Sequence, residues 1–356
     1  MKKKLKEICN GYTKNIAQKE LDDLNGDYEI FGASGLIKKI DYYISEVPYI
    51  GIVKDGSGVG RVNSYPAKSS LIGTMQYIVP NKDIDLQFLM YGLRSLNLGN
   101  LYRGAAIPHI YFKEYKEFEL NVPPKEEQQK IAAELDTIQS AIDNKKQQFS
   151  LLDEAVKSKF VEMFGENPIE SGKWKVETLG EIGKVSMCKR ILREQTTPEG
   201  DIPFYKIGTF GKKADAYISK ELYNEFKSKY SYPKKGSILI SASGTIGRAV
   251  VFDGEPAYFQ DSNIVWIDND ETKVLNSFLQ FWYGTNPWKI TQGGTISRLY
   301  NSNISEANVI IPPLEVQQSF AAFVQQIDKS KFVVKQQIAD LQELLDSKMQ
   351  EYFGVE

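Results

Sequence analysis

The chain has one histidine, His109, and two cysteines, Cys9 and Cys188, among 356 residues. Two isolated thiols build neither a disulfide framework nor a zinc ligand set, so reduced thiols in a cytoplasmic protein are the plain reading. A single imidazole leaves little material for a nucleophile–histidine–acid triad. No run of about 18 apolar residues occurs, so no membrane span is expected. The basic start MKKKLKEICNGYTK lacks the apolar stretch of a secretory signal. Also missing are G-x-x-x-x-G-K-[ST] for a nucleotide and the Asn-Pro-Pro-aromatic run of an amino-methyltransferase; Asn121-Val122-Pro123-Pro124 only leads into a helix. These gaps argue against an enzyme and for a binding protein without a metal or cofactor of its own.

What is present is a repeat. NVPPKEEQQKIAAELDTI (121–138) and VIIPPLEVQQSFAAFVQQI (309–327) align without a gap at a shift of 189. The shift superposes Pro123 on Pro312, Pro124 on Pro313, Glu126 on Glu315, Gln128 on Gln317 and Gln129 on Gln318. It carries on to Phe164/Phe353 and Gly165/Gly354. An internal period of this kind decides the architecture, here two similar halves.

After each Pro-Pro the apolar residues step by threes, fours and sevens, as in a heptad seam. The first copy places Ile131, Leu135, Ile138, Ile142, Phe149, Leu152 and Val156 on that seam, with Lys145 and Lys159 interrupting it. The second places Phe320, Val324, Ile327, Val334, Ile338, Leu341 and Leu345 there, with Lys331 among them. Proline suits a helix start, Glu126-Glu127 suit its positive end, and Phe-Gly at each finish predicts a left-handed glycine cap. Roughly 40 residues at about 1.5 Å each predict rods near 60 Å long, most economically packed on each other and antiparallel.

The intervening segments repeat more loosely. Leu-x-Glu-Ile occurs near Leu5 and Leu179, GSGVGRV (56–62) pairs with SGTIGRA (243–249), and each glycine run follows a strand-like run. Short Val/Ile/Tyr-rich strands bounded by Gly, Asn and Asp, with one short helix near Leu86–Leu96 or Val274–Tyr283, predict a compact α+β domain each time. The glycine runs read as strand-to-strand turns whose backbone can approach a phosphate, with Arg61 or Arg248 beside them. Lys2-Lys3-Lys4 reads as a loose or phosphate-touching end. His109 falls opposite Arg298 in the repeat, which fits a basic hydrogen-bonding position better than a catalytic one. The expected organisation is α+β: globular domains at 1–122 and 166–311, separated by helices at 123–165 and 312–356, with a pseudo-twofold relation between halves.

Charge divides along the same lines. Residues 1–122 carry 16 basic against 14 acidic side chains and residues 166–311 carry 18 against 17, while the helical segments carry 6 against 8 and 4 against 7. Neither globular domain is strongly basic, so any nucleic-acid contact rests on local patches.

Two variable α+β domains, each followed by a long helix opening Pro-Pro-x-x-x-Gln-Gln, resemble the specificity subunit of type I restriction-modification systems. DYEIFGASGLIKKIDYYISEVPYIGIVKDGSGVGRVNSYPAKSSLIGTMQYIV (27–79) is similar to one class of target recognition domain. DIPFYKIGTFGKKADAYI with GSILISASGTIGRAVVFDGEPAYFQDSNIVWI is similar to another. The resemblance implies that each domain reads one half of a split double-stranded DNA target. It implies that the helices dock two methyltransferase subunits carrying S-adenosylmethionine, and that restriction motor subunits using ATP and Mg can join. The unequal domain lengths imply an asymmetric target. Two alternatives stay open: the specificity subunit of a simpler combined restriction-methylation (type IIB-like) system, and a coiled-coil adaptor that never touches DNA.

Base edges in the major groove are read by Arg, Lys, Asn, Gln, Ser and Thr. On that ground the candidate contacts are Lys54, Ser57, Arg61, Arg103 and His109 in the first domain. In the second they are Lys189, Arg190, Arg193, Ser243, Thr245, Arg248, Thr295, Ser297 and Arg298.

Overall fold

Leu-x-Glu-Ile is a single helical turn in both places, Leu5–Ile8 and Leu179–Ile182. Its glutamate folds back to accept a backbone N–H at the start of the turn, from Lys4 (2.8 Å) or Thr178 (2.6 Å). Its leucine and isoleucine are buried. This is one half of a capping box, an acid at the third helical position satisfying a backbone donor at the helix start. The computed structural model describes residues 1–101, 108–288 and 298–354.

The first domain orders its strands as β1 (Lys2–Lys4), β2 (Cys9–Tyr12), β3 (Tyr28–Gly32), β4 (Gly35–Ile40), β5 (Tyr49–Val53), β6 (Val62–Tyr65), β7 (Ser70–Leu71), β8 (Met75–Pro80) and β9 (Glu119–Asn121). The second continues with β10 (Lys175–Thr178), β11 (Gly183–Met187), β12 (Ile202–Tyr205), β13 (Tyr217–Ile218), β14 (Ile238–Ser241), β15 (Ala249–Val251), β16 (Tyr258–Phe259), β17 (Ile264–Asn269) and β18 (Asn308–Ile311). Among the described residues the two domains repeat one topology. A sheet ordered β2-β8-β5-β6 matches one ordered β11-β17-β14-β15, and β4-β3-β7 matches β13-β12-β16. Both smaller sheets contain a parallel pair, β3 with β7 and β12 with β16. Lys2–Lys4, expected as a loose end, instead pairs with Glu119–Asn121, because its backbone closes the domain while the ammonium groups stay outside.

Strand alternation distributes the core. Every residue of β5 is buried. Ile50 and Ile52 face the short helix Leu86–Ser95 with Phe88 and Leu89, whereas Tyr49 and Val53 face Tyr77, Met75 and Leu71 toward the second sheet. Ile238 and Ile240 of β14 likewise meet Phe278 and Trp282 of the helix Asn276–Gly284, and Leu239 meets Trp266 and Tyr258 behind. A strand covered on both faces reads as a continuous apolar run, as these do.

The two rods run Lys125–Phe164 and Leu314–Phe353. Their shared Pro-Pro-x-x-x-Gln has a physical meaning. Gln128 and Gln317 are almost wholly buried, at 1% and 0% exposure. The Gln128 amide oxygen accepts from the N–H of Asp85 at 2.9 Å, and its nitrogen donates to the carbonyls of Pro123 (2.9 Å) and Asp83 (3.3 Å). Gln317 accepts from Leu275 at 2.8 Å and donates to Pro312 (2.7 Å) and Lys273 (2.9 Å). Each glutamine ties the first turn of its rod to the loop that opens the domain's short helix.

Contacts divide the chain into two units, Met1–Phe149 with Val333–Glu356, and Ser150–Phe332. Within the first unit the opening half of the first rod packs with the closing half of the second; Glu134 accepts from Tyr352 (2.7 Å) and pairs with Lys348 (3.1 Å). Within the second unit the remaining halves pack, and Lys331, at an otherwise apolar position, pairs with Asp153.

The seam differs from a pure helix–helix stripe. Ile131, Leu135, Ile138 and Ile142 share one core with Leu5, Phe88 and Tyr91 of the globular domain as well as with Leu345 and Phe353. Val156 and Phe320 share another with Phe278 and Trp282. Val334 is buried, and Phe149, Leu152, Val324, Ile327, Ile338 and Leu341 are half-buried. A heptad shows that one face is apolar without showing what covers it. Phe160 and Phe164, outside the expected seam, are buried in the second core. Only the first of the two expected caps is left-handed: Gly165 has φ of +97°, whereas Gly354 is not in that region although its N–H still reaches the carbonyl of Gln350 at 2.8 Å.

Candidate nucleic-acid interface

Each glycine run is a loop closed at its base by the same two backbone hydrogen bonds. In the first domain the N–H of Val53 donates to the Arg61 carbonyl (3.0 Å) and Gly60 donates to Val53 (2.8 Å). In the second, Ser241 donates to Arg248 (2.9 Å) and Gly247 to Ser241 (2.9 Å). The closing glycines are required twice over. Gly60 and Gly247 have φ of +84° and +77°, where an L side chain is strained. A Cβ would also sit 2.1 Å from the Gly99 nitrogen or 2.4 Å from Trp288 Nε1.

The loops are fastened to the same neighbours. Lys54 donates to the Thr74 carbonyl (2.9 Å) and accepts from Ile110 (2.9 Å); Ala242 donates to Asn263 (2.8 Å) and accepts from Leu299 (2.9 Å). The segments at His109 and Arg298 are thereby brought beside the glycine loops, as the pairing of those residues in the repeat leads one to expect. Asp55 forms an isolated backbone bridge with His109, whose ring lies 5.7 Å from that of Tyr111.

The structure sorts the candidates by availability. Lys54 is not a surface residue. It is 7% exposed, with its ammonium paired to Asp55 and lying 5.5 Å from the centre of the Tyr111 ring, because the strand end that carries it passes under the 108–111 segment. Ser57 stands exposed at the tip of its loop. Arg61 is exposed; its Nη1 donates to the Ala33 carbonyl at 3.3 Å and its guanidinium occupies the space where a side chain on Gly58 would be. Arg248 in the second domain is half-buried, with Nη1 donating to the Phe210 carbonyl at 2.9 Å. Thr245 is exposed, Lys189 lies 5.2 Å from the centre of the Tyr230 ring, and Arg193 opens an exposed 3-10 turn. Arg103, Thr295 and Ser297 lie outside the described residues.

One turn that the sequence reading passed over gathers three candidates. In Asp261-Ser262-Asn263, between β16 and β17, the Asp261 carboxylate accepts from Arg190 Nε at 2.8 Å. The Ser262 carbonyl accepts from Arg298 Nη2 at 2.7 Å, and Asn263 Oδ1 accepts from Ser243 Oγ at 2.9 Å. Ser262 has φ of +58°, an uncommon region for a side-chain-bearing residue, which aims its carbonyl at Arg298. Beneath this turn Cys188 is buried, and burial pushes its thiol up to about 12.

Two related modules, each offering one polar loop surface and each anchored to paired rods, define a two-domain recognition protein. Residues 1–152 and 171–343 match the family model of the type I restriction modification DNA specificity domain, and the chain belongs to that family. It is 39% identical over 338 residues to a type I restriction enzyme specificity subunit of Haemophilus influenzae, covering 92% of this chain and 87% of that one. It is 25% identical over 299 residues to the MjaIX specificity subunit of Methanocaldococcus jannaschii, covering 76% and 68%. Among solved structures, the S subunit of a type I restriction-modification system from M. genitalium superposes with a TM-score of 0.64 at 18% identity, over 100% of this chain and 96% of that one. At that identity the likeness is one of fold.

Proposed function

We propose that each domain reads one half of a bipartite double-stranded DNA target and that the rods dock two methyltransferase subunits. The observation that carries this reading is the duplicated loop. Two domains hold it with the same four backbone hydrogen bonds and dress it with different polar side chains, Ser57 and Arg61 in one, Ser243, Thr245 and Arg248 in the other. A constant frame with variable hydrogen-bonding groups is what reading two different short sequences requires. The chain supplies recognition and no catalytic group. S-adenosylmethionine comes with the methyltransferase, and ATP and Mg with a motor-nuclease subunit where one joins.

Because the domains carry net charges of only +2 and +1, phosphate attraction alone gives this chain weak DNA binding. Tight, selective binding therefore arises in the assembled complex. The test is reconstitution with a methyltransferase subunit from the same host, followed by mapping of methylated adenines. A split, asymmetric methylated sequence supports the reading, and an assembled complex without sequence preference defeats it in favour of an adaptor that never contacts DNA.

A further inference from the structure

Arg190 is 66% exposed, yet its guanidinium is held at one edge, because Nε donates to Asp261 at 2.8 Å. Asp261 is only 16% exposed, and the Ser262 hydroxyl lies 3.4 Å from the same carboxylate oxygen. Its backbone is fixed as well, since its carbonyl accepts from Asn263 at 2.7 Å. Among the described residues the two terminal nitrogens of Arg190 have no protein partner. A free arginine samples many rotamers; one tied through Nε presents a fixed pair of outward donors. Those donors match the two acceptors, O6 and N7, that guanine places in the major groove. A phosphate can accept the same fork, but it carries no sequence information, so base preference and salt dependence separate the two contacts.

The surroundings point the same way. The turn that holds Arg190 also holds Arg298 and Ser243, so three side chains capable of contacting bases converge from segments far apart in the sequence. In the first domain the equivalent turn, Ile72–Thr74, identified by its bond to Lys54, places Ile72 in an apolar cluster with Ile16. The carboxylate–guanidinium pair is therefore a feature of the second domain's turn and not of the shared frame.

We propose that Arg190 reads one guanine in the half-site recognised by residues 166–311, and that Asp261 is the positioning residue that aligns its guanidinium. The inference rests on the reading of the domains as DNA-recognition modules. It is tested in the complex reconstituted with its methyltransferase, using Arg190→Ala, Arg190→Lys and Asp261→Ala, with binding measured on a library randomised over both half-sites.

The expected result is that all three variants relax the same single position, a guanine in the wild-type preference, by roughly tenfold to a hundredfold. The other half-site, read by residues 1–122, keeps its preference and serves as the folding control. Arg190→Lys is informative because it keeps the charge and loses the fork. Uniform weakening at every sequence, with the salt dependence of binding falling by about one ion and no base relaxed, would assign Arg190 to a phosphate and overturn the proposal. So would loss of preference at that position in Arg190→Ala but not in Asp261→Ala, which would remove Asp261 from the account. Absence of any preference in the wild-type complex would instead sink the underlying functional reading, and this inference with it.

Discussion

Gln128 and Gln317, 189 positions apart, make the same three hydrogen bonds: each accepts one N–H from the loop before the domain's short helix, donates once to that loop, and donates once to the first proline of its own Pro-Pro. A buried primary amide has few alternatives to such a set, because every unmet donor or acceptor there costs its desolvation. The repeated motif is thus a fastening between rod and domain, which is why it recurs while the domain sequences drift.

Gln128→Ala and Gln317→Ala should each destabilise their own unit by about 1–3 kcal/mol, since Asp85 N–H or Leu275 N–H loses its buried acceptor. Urea unfolding followed by tryptophan fluorescence would report the Gln317 change most directly, because Trp174, Trp266, Trp282 and Trp288 all lie in the second unit. An unchanged midpoint would show that water replaces the amide without loss.

Lys54→Ala should behave as a folding variant, not a specificity variant. Removing the ammonium leaves the partly buried Asp55 carboxylate without its partner, at a cost of about 1–3 kcal/mol. The methylated sequence should be unaltered. A changed base preference in a fully stable protein would return Lys54 to the recognition surface.

Exchange of residues 166–311 for another recognition domain of the family should alter one half of the methylated sequence and preserve the other. Methylome sequencing decides this. Changes in both halves would mean that the two closed loops do not read independently.

Cys9 and Cys188 are buried, and burial pushes both thiols up to about 12. At pH 8 the native chain should react with a thiol reagent far more slowly than the unfolded chain, in which both cysteines have ordinary values near 8.5. A fast thiol in the native protein would mean that one of the two cores opens readily.

Glu177 is held below the usual carboxylate range by hydrogen bonds first from Lys175 and then from Lys273, at 2.5 and 2.7 Å. A lowered folded value means that the stability it contributes is fully present above the unfolded value of about 4.3 and is lost as pH falls through the folded one. Comparison of wild type with Glu177→Gln in urea from pH 7 to pH 3 should show a gap at neutral pH that closes at acid pH. A gap that widens on acidification would contradict the assignment.

The rods, the central strands and the short helices were legible in the sequence because their signals are local. Period 3.5 marks the apolar face from Ile131 to Val156, and five consecutive apolar or small residues mark β5. The family was legible in the Pro-Pro-x-x-x-Gln-Gln repeat. What stayed hidden depends on contacts between distant segments. Nothing near Lys54 announces that the 108–111 segment crosses it. Nothing near Asp261 announces Arg190, 71 positions earlier, or the carbonyl bond from Arg298, 36 positions after Ser262. The heptad marks an apolar face without naming what covers it, and Ile138 and Leu135 share one core with Leu5 and Phe88 as well as with the second rod.

In the second domain the first strand, β10, lies antiparallel to the last, β18, with Lys175 opposite Ile311. The chain therefore leaves the first rod and reaches the second through two adjacent strands, with everything that reads sequence looped out between them. To the rods, the domain is a detour that returns to where it began. Inheritance can treat such a detour as a single cassette. A genetic crossover near Gly165 and another at Pro312-Pro313 replaces the whole loop surface, including the Asp261 turn, while the new piece still presents a two-strand base and meets Gln317 at a backbone N–H that any residue but proline supplies. That bond is to backbone and not to a side chain, so what the scaffold asks of an insert is chiefly an apolar base where Phe278 and Trp282 now meet Val156 and Phe320. A lineage that keeps this base can acquire a new half-target in one recombination event without redesigning the rods.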